Sequence, residues 1–183
     1  MMTFNFFRNN SFAPRLLLLA LMAVMMLFGA RKAMAQSSNQ WRGMVAVGAS
    51  YERGLDATVS FEKELKYHNA MEFFFTGYLQ WDDDELAGHV TKDSFWHSYN
   101  TWSVGMAYKP CIHRGRNHHG NFRLGVSCGS DLDKFIGVIH VGYEHSYALK
   151  GGWELFFQLK EDVAICAKDL WRTGGAVGIK IPL

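Results

Sequence analysis

Segments of about ten residues with alternating apolar and polar side chains recur along the chain from residue 41 to its end. Because alternate side chains of a β-strand point to opposite faces, this pattern predicts strands, and an amphipathic helix would not produce it. Leu55–Leu65 is the clearest segment. One of its faces carries Leu55, Ala57, Val59, Phe61 and Leu65, and the other carries Asp56, Thr58, Ser60, Glu62 and Glu64.

Eight such segments are predicted, each ended by residues typical of turns. We expect strands at Trp41–Tyr51, Leu55–Leu65, Met71–Trp81, Ser98–Tyr108, Phe122–Ser130, Phe135–Tyr147, Trp153–Glu161 and Thr173–Leu183. The sequence therefore predicts an all-β fold, an eight-stranded antiparallel up-and-down barrel formed by residues 36–183.

Two features indicate that the apolar faces of these strands point outward, into lipid. Aromatic residues lie at the ends of the apolar faces, as in the girdles of outer-membrane barrels. These residues are Trp41, Tyr51, Trp81, Tyr99, Trp102, Tyr108, Phe122, Phe135, Tyr147 and Trp153. If these rings instead cap an ordinary core, the alternative is a secreted, lipocalin-like barrel that binds an apolar ligand inside.

Connection lengths are the second feature. Periplasmic turns are expected at Lys66–Asn69, Pro110–Gly120 and Ala148–Gly152. External loops are expected at Glu52–Gly54, Asp82–His97, Ser130–Lys134 and Asp162–Arg172, and the two longest of these match the usual asymmetry of outer-membrane barrels. The Pro110–Gly120 connection is too long for that rule.

If the apolar faces of the strands point into lipid, their polar faces enclose a lumen. An eight-stranded barrel leaves room only for side chains, so we expect a network of paired charges and no conducting pore. Its acidic members are predicted to be Glu62, Glu72, Glu144 and Glu154, facing Lys109, Arg123, Lys160 and Lys180.

The first 35 residues have the pattern of a secretory signal peptide. Arg8 and Arg15 precede an apolar run of fifteen residues, Leu16–Ala30, and Ala33-Met34-Ala35 matches a cleavage site before Gln36. A spanning helix needs about 20 apolar residues, so a membrane anchor is the less favoured alternative. We therefore expect residues 1–35 to be removed and the barrel to reach the outer membrane of a Gram-negative bacterium.

Charge and cysteine content narrow the possible functions. The whole chain has a formal net charge of +2, but removing the four basic residues of the signal leaves 15 basic against 17 acidic residues. The mature chain is therefore slightly acidic, and we expect no direct binding of nucleic acid. Cys111, Cys128 and Cys166 fit no zinc motif and leave at least one thiol unpaired, with one bridge still open.

Distinctive motifs lie at both ends of the mature chain. They are Ala35-Gln36 at the cut, Arg42-Gly43-Met44, Asp169-Leu170-Trp171-Arg172-Thr173-Gly174, and the ending Gly175-Ala176-Val177-Gly178-Ile179-Lys180-Ile181. Together they resemble the conjugal transfer protein TraO family of Bacteroidetes conjugative elements. The resemblance implies an accessory or structural outer-membrane component of a conjugative DNA-transfer apparatus, in contact with outer-membrane lipid and other envelope proteins. It carries no catalytic motif to residues of this chain.

Two polar clusters are candidate functional sites. Asp82-Asp83-Asp84-Glu85 lacks the spacing of a calcium loop, so a solvated loop is favoured. His113, Arg114, Arg116, His118 and His119 form a basic patch that could contact anionic headgroups or a periplasmic partner, or bind a metal weakly.

A lipid-modifying outer-membrane enzyme is a further alternative. His97 and Ser98 would point to opposite faces of a strand, but His140 could meet Ser127 or Ser103 in the lumen. A hydrogen-bonded interior histidine is the favoured interpretation. We accordingly predict no enzyme activity, no cofactor, no metal site and no catalytic residue.

Overall fold

The computed structural model describes residues 40–51, 53–81, 99–131 and 133–183, and the predicted signal peptide lies outside them. The described residues form nine strands. They are β1 (Trp41–Ser50), β2 (Gly54–Glu64), β3 (Ala70–Gln80), β4 (Tyr99–Lys109), β5 (Cys111–Arg114), β6 (His118–Ser130), β7 (Phe135–Ala148), β8 (Glu154–Ile165) and β9 (Trp171–Pro182). Short 3₁₀ turns occur at Lys66–His68 and Lys150–Gly152. No helix among the described residues is long and apolar enough to cross a membrane.

Every strand pairs antiparallel with its neighbours, and the sheet closes on itself. β1 pairs with β2 and β9, and β4 pairs with β6 to complete the ring. β5 follows Pro110 and pairs only with the beginning of β6, so β4 and β5 are two parts of one interrupted strand. Proline has no N–H to donate to a ladder, which explains the break. The barrel is therefore eight-stranded and antiparallel, as predicted.

The stagger of the strands sets the dimensions of the barrel. A path that starts at Trp41 and steps from each residue to its register partner on the next strand goes once round the sheet and ends at Thr173 on β9. The backbone carbonyl of Thr173 accepts a hydrogen bond from the N–H of Tyr51 at 2.8 Å. Tyr51 directly follows β1, so the path returns ten residues beyond its start. With ordinary strand spacings, this stagger tilts the strands by about 40° and separates the levels of Trp41 and Tyr51 by about 25 Å.

The outer wall is apolar and the interior is charged. In β2, Leu55, Val59 and Phe61 are exposed, whereas Asp56 and Glu62 are buried. The same arrangement holds for β1, β3, β4 and β8, whose outward positions include Val45, Phe73, Val104 and Leu155. This is the inverse of a soluble barrel, and it is the pattern that lipid requires of a closed sheet.

Aromatic side chains mark both ends of the apolar wall. Trp41, Tyr147 and Trp153 lie at one rim, near the N-terminus of β1, and Tyr51, Trp102 and Phe135 lie toward the other. We call these the N-terminal rim and the loop rim. Two members of the predicted girdle differ. Phe122 is 1% exposed although it stands at an outward position of β6, and Tyr99 shares the inward side of β4 with the buried Thr101 and Ser103.

Two predicted connections were wrong. Pro110–Gly120 contains β5 and the start of β6, which leaves a turn of residues 115–117. Asp162–Arg172 is shortened, because β8 continues to Ile165 and β9 begins at Trp171. Charged and imidazole side chains interrupt the apolar alternation in both segments, although backbone pairing continues through them.

Candidate functional site: the charged lumen

Four charged side chains from four strands meet in the half of the lumen that is nearer the N-terminal rim. Lys109 Nζ donates to Glu62 Oε2 and to Glu144 Oε2, both at 2.8 Å. Lys180 Nζ donates to Glu144 Oε1 at 2.7 Å and to Glu62 at 3.0 and 3.1 Å. None of the four is more than 2% exposed. Two cations and two carboxylates thus compensate one another, as burial of charge requires.

Further ion pairs lie on both sides of this network. Toward the N-terminal rim, Arg42 lies 2.9 Å from Glu64 and 3.0 Å from Glu154. Glu72 joins through Lys109 at 3.2 Å and through Arg123, whose Nε donates to it at 2.8 Å. Toward the loop rim, Lys160 lies 2.6 Å from Asp56.

Every predicted lumen charge is therefore buried inside the barrel, and the predicted charge network is confirmed. Arg42, Asp56 and Glu64 also form ion pairs in the lumen. The sequence analysis placed Asp56 and Glu64 on the inward face without naming them as members of the network, and it did not identify Arg42.

Aromatic rings inside the barrel cover two of its arginines. Arg123 lies over the Phe74 ring at 4.5 Å, and Arg172 lies over the Tyr78 ring at 4.0 Å and donates to Thr101 Oγ1 at 3.2 Å. These rings occupy volume that water would otherwise fill and attract the guanidinium groups electrostatically. Together with the ion pairs, they leave a lumen packed with side chains.

His140 lies in a second group of side chains, nearer the loop rim. Its Nε2 is 2.7 Å from Ser127 Oγ, and its Nδ1 is 2.7 Å from Asp162 Oδ1. A neutral imidazole that donates its Nδ1 proton to Asp162 can accept the Ser127 proton at Nε2. Phe74 packs edge-on against the imidazole at 5.1 Å between ring centroids.

Of the two serines predicted as partners of His140, the structure brings Ser127 to it. Asp162 was placed in a loop by the sequence, so its role was missed.

The cavities beside His140 are small. Two of them, of about 20 Å³ each, include His140, Asp56 and Asp162 in their lining, and each has room for about one water molecule. A lipid or another apolar ligand does not fit in such a space. A lipocalin-like ligand site, the soluble alternative, is therefore not present in the lumen formed by the described residues.

The predicted basic patch is divided between two faces of the barrel wall. His119 points inward, stacks on His68 at 5.2 Å between ring centroids, and lies 3.8 Å from Glu154. His113 and His118 lie on the outer surface at the N-terminal rim, where they meet His145 of β7. Among the described residues, no group of His, Cys, Asp and Glu side chains is arranged as a ready metal site.

At the loop rim, Asp131 organises the turn between β6 and β7. It accepts backbone N–H groups of Lys134 at 2.7 Å and Asp133 at 3.1 Å, and the Tyr99 hydroxyl donates to it at 2.8 Å. These bonds, the Lys134 N–H foremost, hold the pKa of Asp131 below its usual value because they stabilise the carboxylate.

Two predicted features fall outside the described part of the chain. The acidic run Asp82–Glu85 and the His97–Ser98 pair belong to residues 82–98, which the structure does not describe.

All three cysteines are free, with Cys128 and Cys166 exposed and Cys111 half-buried. The bridge that the sequence left open is therefore absent among them.

Two solved structures are similar to this barrel. A de novo designed transmembrane β-barrel gives a TM-score of 0.52 at 12% identity and covers 82% of this chain and 100% of the designed one. The chain has the fold of an outer-membrane-type β-barrel. Neisserial surface protein A (NspA) gives a TM-score of 0.47 at 14% identity, covering 81% of this chain and 100% of its own. No protein-family model and no curated protein sequence matches the chain.

Proposed function

We propose that this chain is an outer-membrane barrel of a Gram-negative bacterium that serves as a structural accessory of a conjugative DNA-transfer apparatus. The membrane part of the proposal rests on one observation, the opposite orientation of neighbouring side chains such as Phe61 and Glu62. Phe61 is 53% exposed on the wall, whereas Glu62 is 2% exposed in the lumen. Only a nonpolar solvent around the barrel makes both placements favourable.

Fractionation tests the membrane location. The chain should pellet with envelopes, require detergent for extraction, and migrate differently on a gel when it is not heated, because a closed barrel resists unfolding by detergent. Recovery in the soluble periplasmic fraction would contradict this part of the proposal.

The mating role rests on the resemblance of the chain ends to the TraO family. In this role the barrel contacts outer-membrane lipid on its wall and other envelope proteins of the apparatus at its rims, without binding DNA or catalysing a reaction. The filled lumen supports a scaffold rather than a conduit, because ion pairs such as Lys109–Glu144 close it.

Deletion of the gene from its element should lower transfer frequency, and a plasmid copy should restore it. Unchanged transfer would remove the mating role and leave the barrel assignment intact.

A second candidate function is hydrolytic, and the Ser127–His140–Asp162 chain of hydrogen bonds favours it. Its two 2.7 Å contacts match a nucleophile, a base and an orienting carboxylate. We rank it below the scaffold role because the neighbouring cavities hold only about one water molecule each.

A small fluorophosphonate probe separates the two functions. A hydrolase requires covalent labelling of wild-type protein that Ser127→Ala and His140→Ala abolish and that Ser103→Ala, the matched buried serine, retains. Absence of labelling in the folded barrel would remove the hydrolytic candidate.

A further inference from the structure

Three histidines from neighbouring strands meet on the outer wall at the N-terminal rim. His113 of β5 and His145 of β7 are both register partners of Gly120 in β6, and His118 pairs with Tyr147. We call His113, His118 and His145 the rim histidine cluster. The tilt of the strands places this cluster within about 6 Å of the level of Trp41, at the end of the apolar wall.

Packing holds the three rings together. The ring centroid of His118 lies 5.2 Å from those of His113 and His145, which are 6.4 Å from each other, so the three rings form a compact triangle. The Tyr143 hydroxyl lies 2.8 Å from His145 Nδ1, and this side chain crosses Gly120, where an added Cβ would lie 2.4 Å from the hydroxyl oxygen. The rings therefore form a fixed surface rather than independent side chains.

Exposed groups and positive charge lie at the cluster. His113 is exposed, and Arg116, which is also exposed, occupies the turn that joins His113 to His118. Because these groups are open to the surroundings at one rim, they can donate hydrogen bonds to an anionic ligand.

We propose that the rim histidine cluster and Arg116 bind the phosphate of an anionic phospholipid headgroup. This inference rests on the proposed membrane location, which puts the cluster at headgroup level. Guanidinium and imidazolium groups donate charge-assisted hydrogen bonds to phosphate oxygens, and neutral imidazole nitrogens donate weaker ones.

Native mass spectrometry of the full barrel, released from detergent containing equal amounts of phosphatidylglycerol and phosphatidylcholine, tests the proposal. Wild-type protein should retain phosphatidylglycerol preferentially. Arg116→Gln should reduce the preference roughly fivefold, and adding His113→Gln should reduce it further. Lys63→Gln is the matched control, because Lys63 lies at the same rim over Trp41, outside the cluster, and its preference should be unchanged.

Three results would overturn the proposal. They are no preference in the wild type, an unchanged preference in the double variant, and an equal loss in Lys63→Gln. Unheated gel mobility of every variant shows whether the barrel has folded. A wild-type chain without that mobility shift would contradict the membrane barrel itself, which distinguishes failure of the proposed function from failure of the headgroup site.

Discussion

Lys180 on the last strand and Glu144 on β7 meet inside the barrel, with 2.7 Å between Nζ and Oε1. These residues are 36 positions apart in the chain and on strands that are not neighbours in the sheet. The ion pair therefore crosses the lumen rather than following the wall. Lys109 makes the corresponding contact from the opposite side, at 2.8 Å from the same carboxyl group.

Lys109→Met should strongly destabilise the barrel. Lys109 Nζ lies within 3.2 Å of Glu62, Glu72 and Glu144, and its removal leaves buried carboxylates undercompensated. Loss of one partner from a buried ionic network costs about 3–5 kcal/mol. Urea unfolding in lipid vesicles measures this loss.

Adding Glu144→Gln should recover part of the stability, because it removes one of the uncompensated carboxylates. If the free energy of unfolding of Lys109→Met lies within about 0.5 kcal/mol of the wild-type value, the network contributes little to stability.

Val59→Lys tests the outer wall near the middle of its apolar band. Val59 is 52% exposed, so the same change in a soluble barrel would alter the free energy of unfolding by no more than about 0.5 kcal/mol. Against lipid it should cost about 2–4 kcal/mol, since a cation near the midplane is poorly solvated. Tyr51→Lys, at the loop rim, is the control and should cost less than about 1 kcal/mol. Equal effects at the two positions would argue against a lipid-facing wall.

Gly120→Ala should destabilise by about 1–3 kcal/mol, because the new methyl group collides with the Tyr143 hydroxyl at 2.4 Å. The clash also disturbs the hydrogen bond between Tyr143 and His145. Gly77→Ala is the matched control, since nothing lies within 4 Å of an added Cβ there, and it should be nearly neutral. Thermal unfolding of both variants in detergent provides the comparison, and equal midpoints would contradict the packing of Tyr143 over Gly120.

The purified barrel should not conduct ions when it is inserted into a planar bilayer. Lys109, Lys180, Glu62 and Glu144 close the lumen, and the two cavities beside His140 measure about 20 Å³ each. Steady channels that Lys109→Ala does not change would mean that this network does not close the interior.

The positions of the strands and the direction of their side chains were largely predictable from the sequence. A barrel wall with an apolar outside and a polar inside requires apolar and polar residues to alternate along each strand. In β2, Leu55 to Phe61 alternate strictly between lipid and lumen, and the predicted and observed strand ends differ by one residue. The alternation weakens at His118 and Asp162, where polar side chains continue the ladder, and there the predicted strands were too short.

The partners inside the lumen were less predictable. Sequence placed Glu144 and Lys180 on inward faces, but which charges meet depends on the stagger of the strands round the barrel. Phe74 and Phe156 also point inward, although Phe73 and Phe75 face outward. Three consecutive phenylalanines interrupt the alternation of apolar and polar residues. The inward rings of Phe74 and Phe156, which lie against Arg123 and Lys180, were therefore not identified.

A spin-label scan along β2 in lipid vesicles tests the assignment of the two faces most directly. Single labels from Leu55 to Phe61 report collisions with oxygen, which dissolves in acyl chains, and with a water-soluble nickel chelate. Labels at Leu55, Ala57, Val59 and Phe61 should collide freely with oxygen and rarely with the chelate, whereas a label at Ser60 should be shielded from oxygen. Labels at Val59 and Phe61 that are immobile and shielded from oxygen would place the apolar side chains in a dry core and contradict the account.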